Sequence, residues 1–298
     1  MYKSKNTIQK SLGERVFTVI NIMVMLLLIF ITIYPVWYVV CASFSDAKLL
    51  MGHMGALWAP KGFSLAAYKA TLSNKMILSG YANTLFVLIV GLTINMMLTL
   101  FGAYVLARRD LYWKKYIMMA IVFTMVFSGG LIPFYLTVKQ LHLDGTLWSI
   151  ILPTAVSTFN LIIMRTAIEG VPYSIIESAE IDGAGHYRIL FSIVSPVIVP
   201  TLAVIALYYA VGHWNSWFNA MIFLTKRDSW PLQLVLRDIL IQNDTGNMSS
   251  GTGSGEAFAV GETIKYAVIV VATVPVMLIY PFLQKYFVKG ATLGAVKG

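Results

Sequence analysis

Three carboxylates, Glu177, Glu180 and Asp182, fall inside one short polar stretch, the densest acidic group in the 298-residue chain. Three carboxylates on so small an element can lie solvated or dock on a partner. Pro172 fixes φ, and Ser174 three residues before Glu177 has the spacing of a capping box, so a helix is expected to begin near Ile175. Gly183 and Gly185 supply its stop, because glycine enters the left-handed conformation at little cost. The expected element is two turns, 175–182, with Ile175, Ile176 and Ala179 as apolar neighbours, followed by a glycine turn and a second helix. A second group, Tyr208, Tyr209, His213, Trp214, Asn215, Trp217, Phe218 and Asn219, mixes ring faces with amides. Such a mixture suits a polyhydroxylated ligand, whose C–H faces stack on rings while its hydroxyls bind amides.

Other chemistries find little support. The single cysteine, Cys41, has no partner for a disulfide, and no Cys/His cluster has zinc-site spacing. No Gly-x-x-x-x-Gly-Lys-Ser/Thr loop is present to cradle ATP phosphates. No Ser/His/Asp arrangement is suggested, so neither catalytic nor metal-binding residues are assigned.

The elements that position these groups are dictated by composition. Hydrophobic residues make up 58% of the chain and charged residues 12%, against about 25% charged in soluble domains. The charges are bunched, leaving uncharged stretches longer than the roughly 20 residues that cross a bilayer as a helix. An all-α polytopic membrane protein with six transmembrane helices is expected, spanning about 16–40, 84–107, 116–138, 147–168, 193–224 and 266–287, as one domain over 1–298. The first apolar run exceeds the 7–15 residues of a signal peptide and is read as a retained helix. The spans are expected to be interrupted at Pro35, Gly129-Gly130, Pro133, Pro153 and Gly212, breaks that helices tolerate where they line a cavity or hinge.

Lys and Arg set the orientation, since cytoplasmic loops retain positive charge. With the N-terminus inside, 13 of the 22 fall on the inner side, a net charge of +7 inside against +2 outside. Both termini are therefore expected to be cytoplasmic. The charges form no stripe with aromatic residues, so no nucleic-acid partner is implied. Residues 41–83 and 226–264 then lie outside, the latter carrying a Gly/Ser/Asn-rich tract, about 243–256, expected to be a flexible external loop. The acidic element falls in the largest inner loop, about 169–192. It reads either as a solvated helix on the inner leaflet or as a docking element. An acidic helix suits an anionic membrane surface poorly, which favours a protein partner.

The inner loop resembles a known pattern. Glu177-Ser178-Ala179, three residues, Gly183, nine residues, Ile193, one residue and Ser195-Pro196 are similar to the EAA loop of ATP-binding-cassette importer permeases, with Ser178 in place of alanine and Ser195 in place of leucine. The variant from Glu177 to Gly185 resembles the carbohydrate-uptake, maltose-transporter-like group. Tyr34-Pro35, Asn83-Thr84, Pro133, Trp214-Asn215 and the tail Gly290–Gly298 extend the likeness over nearly the whole chain. The resemblance implies a multi-pass plasma-membrane subunit of bacterial type, paired with a second homologous permease over two copies of a cytoplasmic ATPase and fed by an external sugar-binding protein. ATP and magnesium would be bound by the ATPase, leaving this chain without a cofactor. Glu177, Ser178, Ala179, Asp182, Gly183 and Gly185 would couple to that ATPase. The tail would insert between the ATPase subunits, and the outer loop would enter the binding protein.

Tyr208, Trp214, Asn215, Trp217 and Asn219 are the candidate substrate path. Helical spacing puts Tyr208, Asn215 and Asn219 near one face, with Trp214, Trp217 and Phe218 mostly on another. An outer interfacial aromatic belt would give the same composition. A secondary transporter is the rival reading, as is a permease for a non-sugar solute. The spans' central portions contain no carboxylate for a coupling ion, and His213 is the one histidine within them.

Overall fold

The computed structural model describes residues 11–249, 261 and 263–278 and is helical, with one isolated bridge, Ser45 to Phe63, among the described residues. In chain order the helices are α1 (Leu12–Ser43), α2 (Ala47–Met51), α3 (Ala66–Ser73), α4 (Lys75–Ala107), α5 (Lys114–Val126), α6 (Leu131–Gln140), α7 (Trp148–Ile151), α8 (Thr158–Glu169), α9 (Tyr173–Ile181), α10 (His186–Arg188), α11 (Ser195–Val197), α12 (Val199–Trp214), α13 (Phe218–Phe223), α14 (Leu232–Ser249) and α15 (Thr263–Leu278). The chain forms two compact units, one from residues up to Thr71 with 247–270, the other from Leu72–Gly246 with Val271 onward.

In the first unit, α1 exposes its apolar side chains along most of its length and buries only Cys41, Ala42 and Ser43 at its end. Its start carries a capping box: Glu14 N–H donates to Ser11 Oγ at 3.3 Å and Ser11 N–H to Glu14 Oε2 at 3.0 Å. Pro35 lies inside the helix without ending it. The following loop is pinned by Leu57 N–H donating to Tyr34 Oη and Trp37 Nε1–H to the Trp58 carbonyl.

The second unit is organised by α4, which packs on α8 and α12. Gly80, Thr84, Gly91, Asn95 and Thr99 are buried and recur every four residues apart from one wider step, forming a small and polar stripe. Such stripes let helix backbones approach closely where lipid supplies no hydrophobic contrast. A Cβ at Gly80 would lie 3.2 Å from the Leu232 backbone, and one at Gly91 would lie 2.7 Å from His213 Nε2.

Helices α1 and α4 are each long and apolar enough to cross a membrane. Three of the expected spans are bent. The axis turns by 116° between α5 and α6, by 47° between the α7 segment and α8, and by 89° between the α10–α11 segment and α12. Gly130, at φ 86°, makes the first turn, since a Cβ disfavours that conformation. Pro153 sits in a 3₁₀ turn, Leu152–Thr154, before the second. The third was not expected. Ile189–Val194 forms a π-turn ahead of Pro196, whose ring cannot accept a regular α-helical carbonyl at close range, and Pro200 restarts the helix after Ile198. Gly212, expected as a break, lies within unbroken α12.

The Gly/Ser/Asn-rich tract expected to be flexible is helical over 243–249, where α14 continues to Ser249, extension of a formed helix being easier than its nucleation. Residues 250–256, the distal part of the sixth span and the tail 290–298 lie outside the described residues.

Candidate functional site

The acidic element is α9, and it begins two residues earlier than the capping-box spacing predicts. Pro172, at φ −55° and ψ 122°, breaks the preceding chain, so Tyr173 already opens the helix. Ser174 therefore lies inside the first turn and cannot cap. Its carbonyl instead accepts from Ser178 Oγ at 2.7 Å. The Glu177 side chain caps nothing and has no hydrogen bond or ion pair among the described residues.

The C-terminal end of α9 has a Schellman closure. Gly183 adopts φ 77°, its N–H donates to the Glu180 carbonyl at 3.0 Å, and Ala184 N–H reaches back to the Ala179 carbonyl at 2.9 Å. Gly185, by contrast, is extended at φ −70° and precedes α10. The closure aims one face of α9 inward: Ala179 is buried, and Ile176 and Ala184 pack against the same core as Val171, Ile189 and Leu190. The other face is left outward, with Glu177, Ser178 and Asp182 exposed and Ile181 82% exposed. Tyr187, just past the turn, is 75% exposed. The structure thus brings Glu177, Ser178, Asp182 and Gly183 together on one protrusion while Ala179 serves to seat it.

A cleft of about 490 Å³ separates α9 from the end of α4 and the start of α5. Arg109 lies 4.3 Å over the Tyr173 ring, a cation–π contact that fixes the start of α9. Arg108 pairs with Asp110, whose carboxyl is held below the usual range by hydrogen bonds from that guanidinium. Glu169 accepts from Lys114 and Arg165, both at 2.8 Å. Burial alone would raise the Glu169 carboxyl, but these two donors outweigh it and hold it below its ordinary value. Ion pairs therefore lock the base of the protrusion while Glu177 stays open.

The second group of residues lines a cleft of about 530 Å³ between α8, α12 and α13. Tyr208, Asn215, Trp217 and Asn219 all border it, and Trp214 does not. Trp214 is 7% exposed and meets Tyr81 edge-on at 6.4 Å, because α12 ends there and turns its last ring toward α4. Trp217 and Phe218 join Tyr208 and Asn215 because the helix stops at Trp214 and the chain curls back, which helical spacing could not foresee. Asn160 and Phe159 of α8 add an amide and a ring from a distant part of the sequence.

The inner end of this cleft is a hydrogen-bonded polar network. His213 Nε2 and Asn95 Oδ1 lie 2.9 Å apart, and Asn95 Nδ2 donates to the Thr154 carbonyl at 2.7 Å. Tyr209 Oη lies 2.7 Å from Thr99 Oγ1 and accepts from Ser157 N–H at 2.9 Å. Asn95 and Thr99 escaped the sequence reading; the only available signal was their four-residue spacing with Gly91. Among the described residues no group of three or more His, Cys, Asp or Glu could hold a metal ion.

Residues 85–292 match the family described as binding-protein-dependent transport system inner membrane component. The chain is 42% identical to the polygalacturonan/rhamnogalacturonan transport system permease protein YtcP of Bacillus subtilis, over 96% of this chain and 99% of that one. It is 38% identical to protein LplC of the same organism, over 98% and 99%. Among solved structures it resembles a chain of a bacterial ABC transporter involved in the import of the acidic polysaccharide alginate, at 30% identity and a TM-score of 0.85, covering 94% of this chain and 100% of that one.

Proposed function

The chain belongs to the family of binding-protein-dependent transport system inner membrane components, and from that premise we propose that it is a permease subunit of an ATP-driven oligosaccharide importer. It is a helical, multi-pass protein of the bacterial plasma membrane and a transport subunit rather than an enzyme. The relatives named for polygalacturonan and alginate transport support a carbohydrate cargo. Membership implies a partner permease, an ATPase and a binding protein. The finer arrangement is a heterodimer over two ATPase copies, with ATP and magnesium held by the ATPase.

Six spans follow: α1, α4, the three bent pairs and a last span begun by α15, with both termini cytoplasmic. The charge asymmetry of the loops and the apolar length of these segments support this arrangement. The aromatic and amide cleft between α8, α12 and α13 takes the sugar through Tyr208, Asn215, Trp217 and Asn219.

The observation that carries the reading is α9: a rigidly closed, firmly seated helix that presents an unpaired Glu177 beside exposed Ile181 and Tyr187. A charge with apolar neighbours and no partner among the described residues fits a water-excluding groove on another protein, where a charge-assisted hydrogen bond gains strength. Glu177 pairs with a basic residue in the ATPase cleft, and Gly183 and Gly185 set the angle of approach. The test uses the importer reconstituted with its ATPase and binding protein. Glu177→Ala and Glu177→Gln should both assemble yet lose stimulation of ATPase activity by sugar-loaded binding protein. Full stimulation and transport in Glu177→Gln would overturn the charge pair.

A further inference from the structure

The structure assigns Arg237 a role in reading negative charge on the sugar, which makes the imported cargo an acidic oligosaccharide; this rests on the carbohydrate reading above and narrows it. Arg237, in α14, is half-buried, and its guanidinium lies 4.5 Å from the ring centre of Trp217, one of the cleft's aromatic residues. Among the described residues its one hydrogen bond is to Met221 Sδ, at 2.8 Å. A guanidinium carries five N–H donors and a thioether is a weak acceptor, so the described residues meet little of its donor capacity. No carboxylate among the described residues pairs with it.

The neighbouring arginine shows the contrast. Arg227 also stacks on a tryptophan, Trp230 at 5.4 Å, but has Asp238 as counter-ion at 3.6 Å. Asp238, next to Arg237 in sequence, is thus turned to a different arginine. The described cleft lining contains no Asp or Glu, so an anionic sugar bound there meets no opposing charge from these residues. Trp217 borders the cleft, and Arg237, which is not itself in the lining, stacks on that ring from α14. A uronate sugar presents both features that this pair complements: a C–H face for the indole and a planar carboxylate for the guanidinium fork, which binds carboxylates through two parallel hydrogen bonds. A neutral sugar offers the guanidinium only hydroxyls, without the paired charge of a carboxylate.

The experiment compares wild type, Arg237→Gln and Arg237→Lys in the reconstituted importer. The probes are trigalacturonate, its fully methyl-esterified form, and arabinotriose and maltotriose as neutral trisaccharides. Stimulated ATPase activity and uptake are read with the same binding protein throughout, and complex yield is checked for each variant. The inference expects wild type to respond to trigalacturonate and Arg237→Gln to lower the ratio of trigalacturonate to methyl-ester uptake about tenfold, the scale of a lost hydrogen bond to a charged group. Arg237→Lys should retain part of the ratio, since it keeps the charge but not the fork. A response confined to the uncharged sugars, or an Arg237→Gln complex with the wild-type ratio, would overturn the inference and leave the carbohydrate reading standing; Arg237 would then be an interfacial anchor. A wild-type complex that responds to none of the four probes would overturn both.

Discussion

His213 and Asn95 meet at 2.9 Å in the buried seam between α4 and α12, and the imidazole occupies the space that Gly91, one turn before Asn95, leaves open. The helix contact and the polar network at the base of the cleft are therefore one construction. Removing either the space or the amide should disturb both.

A Cβ at Gly91 would lie 2.7 Å from His213 Nε2, so Gly91→Ala must displace the ring. Overpacking of this kind costs about 1–3 kcal/mol. Asn95→Ala leaves His213 and the Thr154 carbonyl without their partner, at about 1–3 kcal/mol for a buried unsatisfied group. Both variants should lower the melting temperature of the detergent-purified complex. Wild-type melting in both would show that the seam does not depend on the network.

Gly183 has nothing within 4 Å of a built Cβ, so space does not forbid a side chain there; its φ of 77° does. Gly183→Val should cost about 1–3 kcal/mol locally, the range for residues held in sparsely populated backbone regions. The expected outcome is a permease that remains in the membrane but responds weakly to loaded binding protein. Gly183→Asn, which tolerates the left-handed region better, should recover part of the response. Equal coupling in Val and Gly forms would separate the turn from function.

Glu169 gives the fold a pH dependence. Its folded carboxyl titrates below its ordinary value because Lys114 and Arg165 donate to the ionised form. The stabilisation is complete above the unfolded pKa of about 4.3 and is lost as pH falls through the lower folded value. Thermal unfolding followed from pH 7 downward should therefore show a fall in stability below about 4.3 that is smaller in Glu169→Gln. Parallel curves for the two proteins would sink the assignment.

Topology can be read by labelling. Cysteines at Ser4 and Gly185, placed in a Cys41→Ser background, should react with an impermeant reagent only from the cytoplasmic side, and one at Ser250 only from outside. Labelling at Gly185 in intact cells would reverse the orientation and remove α9 from the ATPase.

The sequence by itself determined the environment. Bunched charge and long apolar runs dictate helices in lipid, because backbone groups there must be satisfied within the segment. The Glu177 to Gly183 spacing marked a short helix with a left-handed stop, since only glycine takes φ 77° cheaply, and the structure has that turn. The α9 start lies earlier than the Ser174–Glu177 spacing predicts, because Pro172 breaks the preceding chain and Tyr173 already opens the helix. The tertiary structure decided what faces what. Uniformly apolar helices carry almost no periodic signal of their buried side, so the meeting of Asn95 with His213, and of Thr99 with Tyr209, could not be read from α4 or α12 alone. The turn after Trp214 likewise removed one tryptophan from the cleft and brought in Trp217, on whose ring Arg237 stacks. Local spacing reports backbone conformation, whereas these pairings depend on how closely two helices approach, and that distance is set jointly by small residues on one and large ones on the other.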